Sequence, residues 1–224
     1  MSETRTSATQ DGAPTAALSY LALGDSYTIG EGVAECGRWP VQLAAALRAE
    51  GIPLAAPRII ATTGWTTDEL IGAMDEAGRL DGQSLVSLLI GVNNQYRGYP
   101  VHDYTREFAL LLQRAIGHAG GRTGRVLVLS IPDWGVTPFA EHERAHAAVI
   151  AAEIDAFNAA ARALCDRQGA AFVDITPVSR VHGSEPAMLA DDGLHPSAAM
   201  YARWTALALP VVRHLFDDAM SDTR

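Results

Sequence analysis

Five short apolar runs recur along the chain, each followed by a polar, glycine-bearing segment and then by residues with helical spacing. The runs fall at 19–23 (SYLAL), 57–62 (PRIIAT), 84–90 (SLVSLLI), 125–131 (RVLVLSI) and 170–174 (AAFVD). Continuous Val, Ile and Leu, without alternating polar positions, is the pattern of strands covered on both faces. Between them, helical patterns occupy 39–50, 66–77, 102–117 and 142–168, and a last one runs from near Ser197 to about Asp217. Pro40 and Thr67, the latter followed by Leu70 and Ile71, mark helix starts. Strand and helix in alternation predict an α/β fold, a parallel sheet with helices on both faces. There is no internal repeat and no second core pattern, so one domain is expected over 18–218. A disordered leader (1–17) and a tail (219–224) are expected to flank it.

In open parallel sheets, ligands bind outside the carboxyl ends of the strands. The residues after each run are therefore the ones to read for chemistry. The first run ends in Gly24-Asp25-Ser26, the second in "TTGWTT" with Gly64, and the third in "GVNNQYRG" with Asn93 and Asn94. "PDWGVTPF" follows the fourth, and a long loop ending "DDGLHPS" follows the fifth. One rim thus gathers a serine, a glycine amide, side-chain amides, an acid and a histidine. Asp192 stands three residues before His195, a separation a tight turn can close, so its carboxylate can fix the imidazole tautomer. The other ring nitrogen could then act as base toward Ser26, a weak nucleophile without one. Asp191 competes with Asp192 for the orienting role. Donors for a developing oxyanion would be the Ser26 and Gly64 backbone N–H groups and the Asn93 amide. Tyr27, Asn94, Trp134 and Phe139 are candidates to line the substrate pocket; Trp134 and Tyr27 could equally serve as core.

These blocks, in this order, resemble the SGNH hydrolases, a branch of the GDSL esterases and lipases. In that family a Gly-Asp-Ser block follows the first strand, a lone glycine the second, Gly-x-Asn-Asp the third, and Asp-x-x-His stands near the C-terminus. The resemblance spans residues 24 to 195. It implies Ser26 as nucleophile, His195 as base, Asp192 as orienter, and Ser26, Gly64 and Asn93 as the oxyanion hole. It also implies a three-layer α/β/α, flavodoxin-like fold with five parallel strands. The third block departs from the pattern, because Asn94 stands where the family usually has Asp; Asn94 is expected to support the loop by hydrogen bonds. There is no G-x-S-x-G, so the nucleophile elbow of α/β-hydrolases is not indicated.

The expected reaction is hydrolysis of a carboxylic ester through an acyl-enzyme, with no metal or organic cofactor. A small-molecule ester, short-chain or O-acetyl, is the expected partner, since no long apolar lid is evident. Two other readings compete. "HERAH", His142 to His146, matches the zinc-hydrolase pattern H-E-x-x-H; Glu153 lies too far along the helix to close the coordination shell, which leaves Glu185, in the long loop near Asp192, as the conceivable third ligand. The chain could also be a non-catalytic, flavodoxin-like binding domain.

Composition narrows the field further. The net charge of −9 argues against nucleic acid or an anionic membrane as the main partner. All 17 basic residues are Arg, which excludes a Schiff-base or P-loop lysine. No apolar stretch approaches the roughly 18 residues of a membrane span. The first residues lack an apolar h-region, from which a cytoplasmic location is expected. Cys36 and Cys165 lie far apart and read as ordinary thiols.

Overall fold

Each of the five predicted strands forms. In the computed structural model, which describes residues 17–143 and 146–221, they are β1 (Tyr20–Gly24), β2 (Arg58–Ala61), β3 (Leu85–Leu89), β4 (Val126–Leu129) and β5 (Ala171–Val173). They pair in the order β2-β1-β3-β4-β5, all parallel. Every residue of β1, β3 and β4 is buried, which is why these runs carry no polar alternation. Helices cover the sheet in a three-layer α/β/α arrangement. On one side α2 (Trp39–Ala49) packs against α9 (Ala198–Ser221), while α3 (Thr67–Glu76), α5 (Val101–His118) and α7 (Ala147–Gln168) pack in succession elsewhere around the sheet. The amphipathic stripe of α5 shows how this works: Tyr104, Phe108, Leu111, Leu112 and Ala115 lie on one face and are buried.

The strand order reverses at β1, so the carboxyl ends of β1 and β3 flank the crevice where ligands bind in such sheets. Two short helices sit there that were expected to be loops. α1 (Ser26–Ile29) follows β1, and α4 (Val92–Tyr96) follows β3. Gly24 lets α1 turn back tightly onto the sheet. A Cβ at that position would lie 2.2 Å from Thr28 Oγ1 and 2.3 Å from the Leu89 carbonyl.

The start of α3 is set by Thr66 rather than Thr67, through a capping box with Glu69. The pattern read as one helix over 142–168 is interrupted. α6 (Pro138–His142) stops at Glu143, and α7 begins only at Ala147, with His146 in extended conformation as its N-cap. The long segment before Asp192 likewise contains α8 (Thr176–His182). The expected leader, up to residue 16, and residues 222–224 of the expected tail lie outside the described residues. Both cysteines are free thiols, Cys36 exposed and Cys165 buried. Among the described residues no helix is long and apolar enough to cross a membrane.

Candidate active site

Ser26 is the first residue of α1 and is 3 % exposed. Asp25 caps that helix, its Oδ1 accepting the Tyr27 backbone N–H at 3.0 Å. Asp25 is completely buried, and burial pushes its carboxyl up to about 7, against the lowering effect of backbone N–H bonds from Tyr27 and Gly91. The serine is thus set at the strand's tip by a cap that is itself out of solvent.

A cleft of about 190 Å³ opens beside it. Its polar lining is Ser26, Thr63, Gly64, Asn93 and His195; its apolar lining is Tyr27, Val92, Tyr96, Trp134, Phe139 and Leu194. All three residues expected to act on substrate from separate strand ends, Ser26, Asn93 and His195, therefore meet in one cavity, together with Gly64.

The turn around Asp192 closes as the three-residue separation predicts. Asp192 Oδ2 lies 2.6 Å from His195 Nδ1, and Oδ1 accepts the backbone N–H groups of Leu194 and His195, both at 2.9 Å. The carboxylate that reaches the imidazole is that of Asp192, not Asp191. Partial burial raises the Asp192 pKa, but the bonds from His195 and the two backbone amides outweigh it and hold it below the usual carboxylate value. His195 packs against Tyr27 at 5.8 Å between ring centroids, so its ring is braced on one side. Its side chain and that of Ser26 face the same cleft without a direct hydrogen bond, a contact that often tightens only when substrate binds.

The loop carrying Gly64 is tied to α4 at three points. Asn93 Nδ2 donates to the Trp65 carbonyl at 2.8 Å, leaving its second N–H for a ligand. Arg97 Nη2 donates to the Gly64 carbonyl at 2.7 Å. Asn94 accepts the Thr67 backbone N–H at 3.0 Å and donates to Thr67 Oγ1 at 2.7 Å. Gly64 has φ +88°, a left-handed conformation that favours glycine.

Asn94 accordingly supports the loop, as expected, but does not line the pocket. It is completely buried, with both ends of its amide held by Thr67. Trp134 combines its two candidate roles, being 6 % exposed and also a wall of the cleft. Asp133 before it is anchored by Arg180 at 2.8 Å and caps the turn through Gly135. Thr63, Val92, Tyr96 and Leu194 also line the cleft and were not singled out from sequence. Each is a near neighbour of a residue that was.

The H-E-x-x-H reading does not survive the backbone. Two zinc ligands at that spacing must share one face of a continuous helix. Here His142 ends α6 and His146 lies in extended backbone before α7, so no common helical face exists. Glu153 is instead bonded to Gln95, and Glu185 to His182.

Residues 22–203 match the model of the GDSL-like lipase/acylhydrolase family. The chain belongs to that family. Its members' chemistry makes it a carboxylic ester hydrolase, with small-molecule esters as substrates. Among curated proteins none matches the chain. Several solved structures of GDSL and SGNH proteins share its fold. A lipase/acylhydrolase from Enterococcus faecalis is 19 % identical with a TM-score of 0.66, covering 88 % of this chain and 96 % of the other. AlinE4, an SGNH-hydrolase family esterase, is 20 % identical with a TM-score of 0.61 over 90 % and 98 % of the two chains. A variant of Axe2, an acetyl-xylooligosaccharide esterase from Geobacillus Stearmophilus, is 18 % identical with a TM-score of 0.67 over 87 % and 94 %. The five-stranded parallel sheet of this GDSL-family chain is the fold these likenesses share.

Proposed function

We propose that this GDSL-family hydrolase cleaves short-chain acyl or O-acetyl esters through an acyl-enzyme formed on Ser26. The observation that carries the reading is the Asp192–His195 pair, 2.6 Å apart, opening onto the same cleft as Ser26, Gly64 and Asn93. Asp192 holds the Nδ1 proton, which leaves Nε2 unprotonated and able to accept the Ser26 hydroxyl proton. Ser26 Oγ then attacks the ester carbonyl, and the charge developing on oxygen is met by the Ser26 and Gly64 backbone N–H groups and the free Asn93 N–H. The Ser26 N–H lies in the first turn of α1, where a helix has no internal acceptor to offer. His195 returns its proton to the departing alcohol, and a water deprotonated by the same imidazole releases the acid. Axe2, whose fold the chain shares, is described as an acetyl-xylooligosaccharide esterase, which supports an O-acetyl group among the substrates.

Hydrolysis of p-nitrophenyl esters from acetate to octanoate tests the proposal. Activity lost in Ser26→Ala but retained by the wild type under a strong zinc chelator is the expected result. Activity retained in Ser26→Ala would refute the serine mechanism.

A further inference from the structure

Gln95 takes no part in the chemistry above, yet it is 6 % exposed and both ends of its amide are engaged. Its Oε1 accepts the indole N–H of Trp134 at 2.8 Å, and its Nε2 donates to the Glu153 carboxylate at 2.7 Å. An ionised carboxylate only accepts, so Glu153 dictates which end of the amide turns toward it. The oxygen is thereby left facing Trp134. A chain of two bonds runs from exposed Glu153 on α7, through Gln95 on α4, to the ring that walls the cleft.

That wall is aromatic. Trp134 meets Tyr96 at 5.4 Å and Phe139 at 6.2 Å between centroids, both edge to face, and all three rings line the cleft. No charged carboxylate, guanidinium or ammonium group lies in the lining. Three of its polar side chains already have partners: Thr63 donates to Glu31, Asn93 gives one of its two N–H groups to the Trp65 carbonyl, and His195 pairs with Asp192. The part of a substrate resting on this wall is therefore uncharged and lays an apolar face against the rings.

We propose that Gln95 is a positioning residue that sets selectivity for the apolar group of the ester, by fixing Trp134 as a rigid wall, with Glu153 fixing Gln95 in turn. The proposal rests on the reading of this cleft as the Ser26 ester site. An acetyl group has little surface to lay against the wall, whereas a longer group has more and so depends on it more. Releasing the indole should therefore raise KM for long esters and leave their kcat little changed. The expected loss in the long-to-short ratio of kcat/KM is about tenfold, comparable to losing the contacts of roughly two methylene groups.

Two substrate pairs test this: p-nitrophenyl hexanoate against acetate, which varies the acyl side, and hexyl against ethyl acetate, which varies the alcohol side. The series that responds identifies which side of the ester the wall holds. Gln95→Leu should lower the ratio through KM. Gln95→Glu should do the same, because it sets two carboxylates against each other. The double variant Gln95→Glu/Glu153→Gln should restore it: the new amide at 153 donates to the new carboxylate at 95, whose other oxygen still accepts from Trp134. A ratio within twofold of wild type in both series for Gln95→Leu and Gln95→Glu overturns the proposal, as does failure of the folded double variant to restore a lost ratio. If Gln95→Leu does not fold, Glu153→Ala, altered only at an exposed residue, takes its place, and an unchanged ratio there overturns the proposal equally. Ser26→Ala is assayed alongside. Activity surviving in it defeats the ester-site reading itself, whereas an inactive Ser26→Ala with an unmoved ratio defeats only the role of Gln95.

Discussion

Asp25 offers a prediction whose size follows from its buried setting. Its carboxyl is completely buried one residue before the proposed nucleophile, and its pKa is raised from the ordinary 3.8 to about 7. Folding therefore favours the protonated form, and between the two values the native state holds more protons than the unfolded chain. The stability that this contributes is fully present below the unfolded pKa and is lost as pH rises through the folded one. A shift of about three units corresponds to about 4 kcal/mol in all, of which about 2–3 kcal/mol is lost between pH 5 and pH 8. Asp25→Asn removes the titration while keeping an oxygen for the Tyr27 N–H, and Asn caps helices as well as Asp does. Urea unfolding of both proteins at pH 5 and pH 8 reads the effect as a difference of differences, in which every other titrating group cancels. The wild type should lose about 2–3 kcal/mol relative to Asp25→Asn on going to pH 8. If the gap between the two proteins stays within about 0.5 kcal/mol across that range, Asp25 does not titrate as its burial requires.

Asp192→Ala leaves His195 Nδ1 without its partner at 2.6 Å and should cut kcat for p-nitrophenyl acetate about 10³- to 10⁴-fold, chiefly in kcat rather than KM. Asp191→Ala, one residue away, should stay within about twofold, and equal losses in the two would mean that the turn and not the carboxylate matters. Gly64→Ala should cost about 1–2 kcal/mol in urea unfolding from its φ of +88° alone, since the nearest atom to a new Cβ is 3.8 Å away. An unchanged unfolding midpoint would show the loop free to relax. Asn94→Asp should destabilise by about 1–3 kcal/mol, and adding Glu107→Gln should recover at least half of that in a double-mutant cycle. Additive effects would refute coupling between the two positions.

The strands were legible because they are doubly buried: β1, β3 and β4 have no polar face to disguise the run. Four helices were not. α1, α4, α6 and α8 contain four, five, five and seven residues, too few for a 3.6-residue period to repeat convincingly. The break between α6 and α7 did have a local signal, in Thr137-Pro138. Thr137 caps α6 by accepting the Ala140 N–H, and Pro138 occupies its first turn. Reading a helix that starts at Pro138 would have placed His142 at its end and separated it from His146.

The residues of the candidate site that could be read from the chain are those whose position on a strand end carries the argument: Ser26, Gly64, Asn93 and the Asp192–His195 turn. What could not be read is hydrogen-bond polarity between distant side chains. Asn94 shows the difference. Its departure from the family's Asp is plain in the sequence, but the group that makes an amide fit there is Glu107, 13 residues further on. Thr67 receives an N–H from Asn94 on its oxygen and donates its own hydroxyl proton to the Glu107 carboxylate. A hydroxyl has one proton to give. A carboxylate at 94 would have to compete with Glu107 for it, in a place where Asn94 and Thr67 are both completely buried and an unmatched acceptor is costly. An amide at 94 and an acid at 107 are thus two halves of one directed chain. That chain holds the Gly64–Thr67 loop against α4, and so sets the distance between the Gly64 and Asn93 donors on which the proposed oxyanion hole depends.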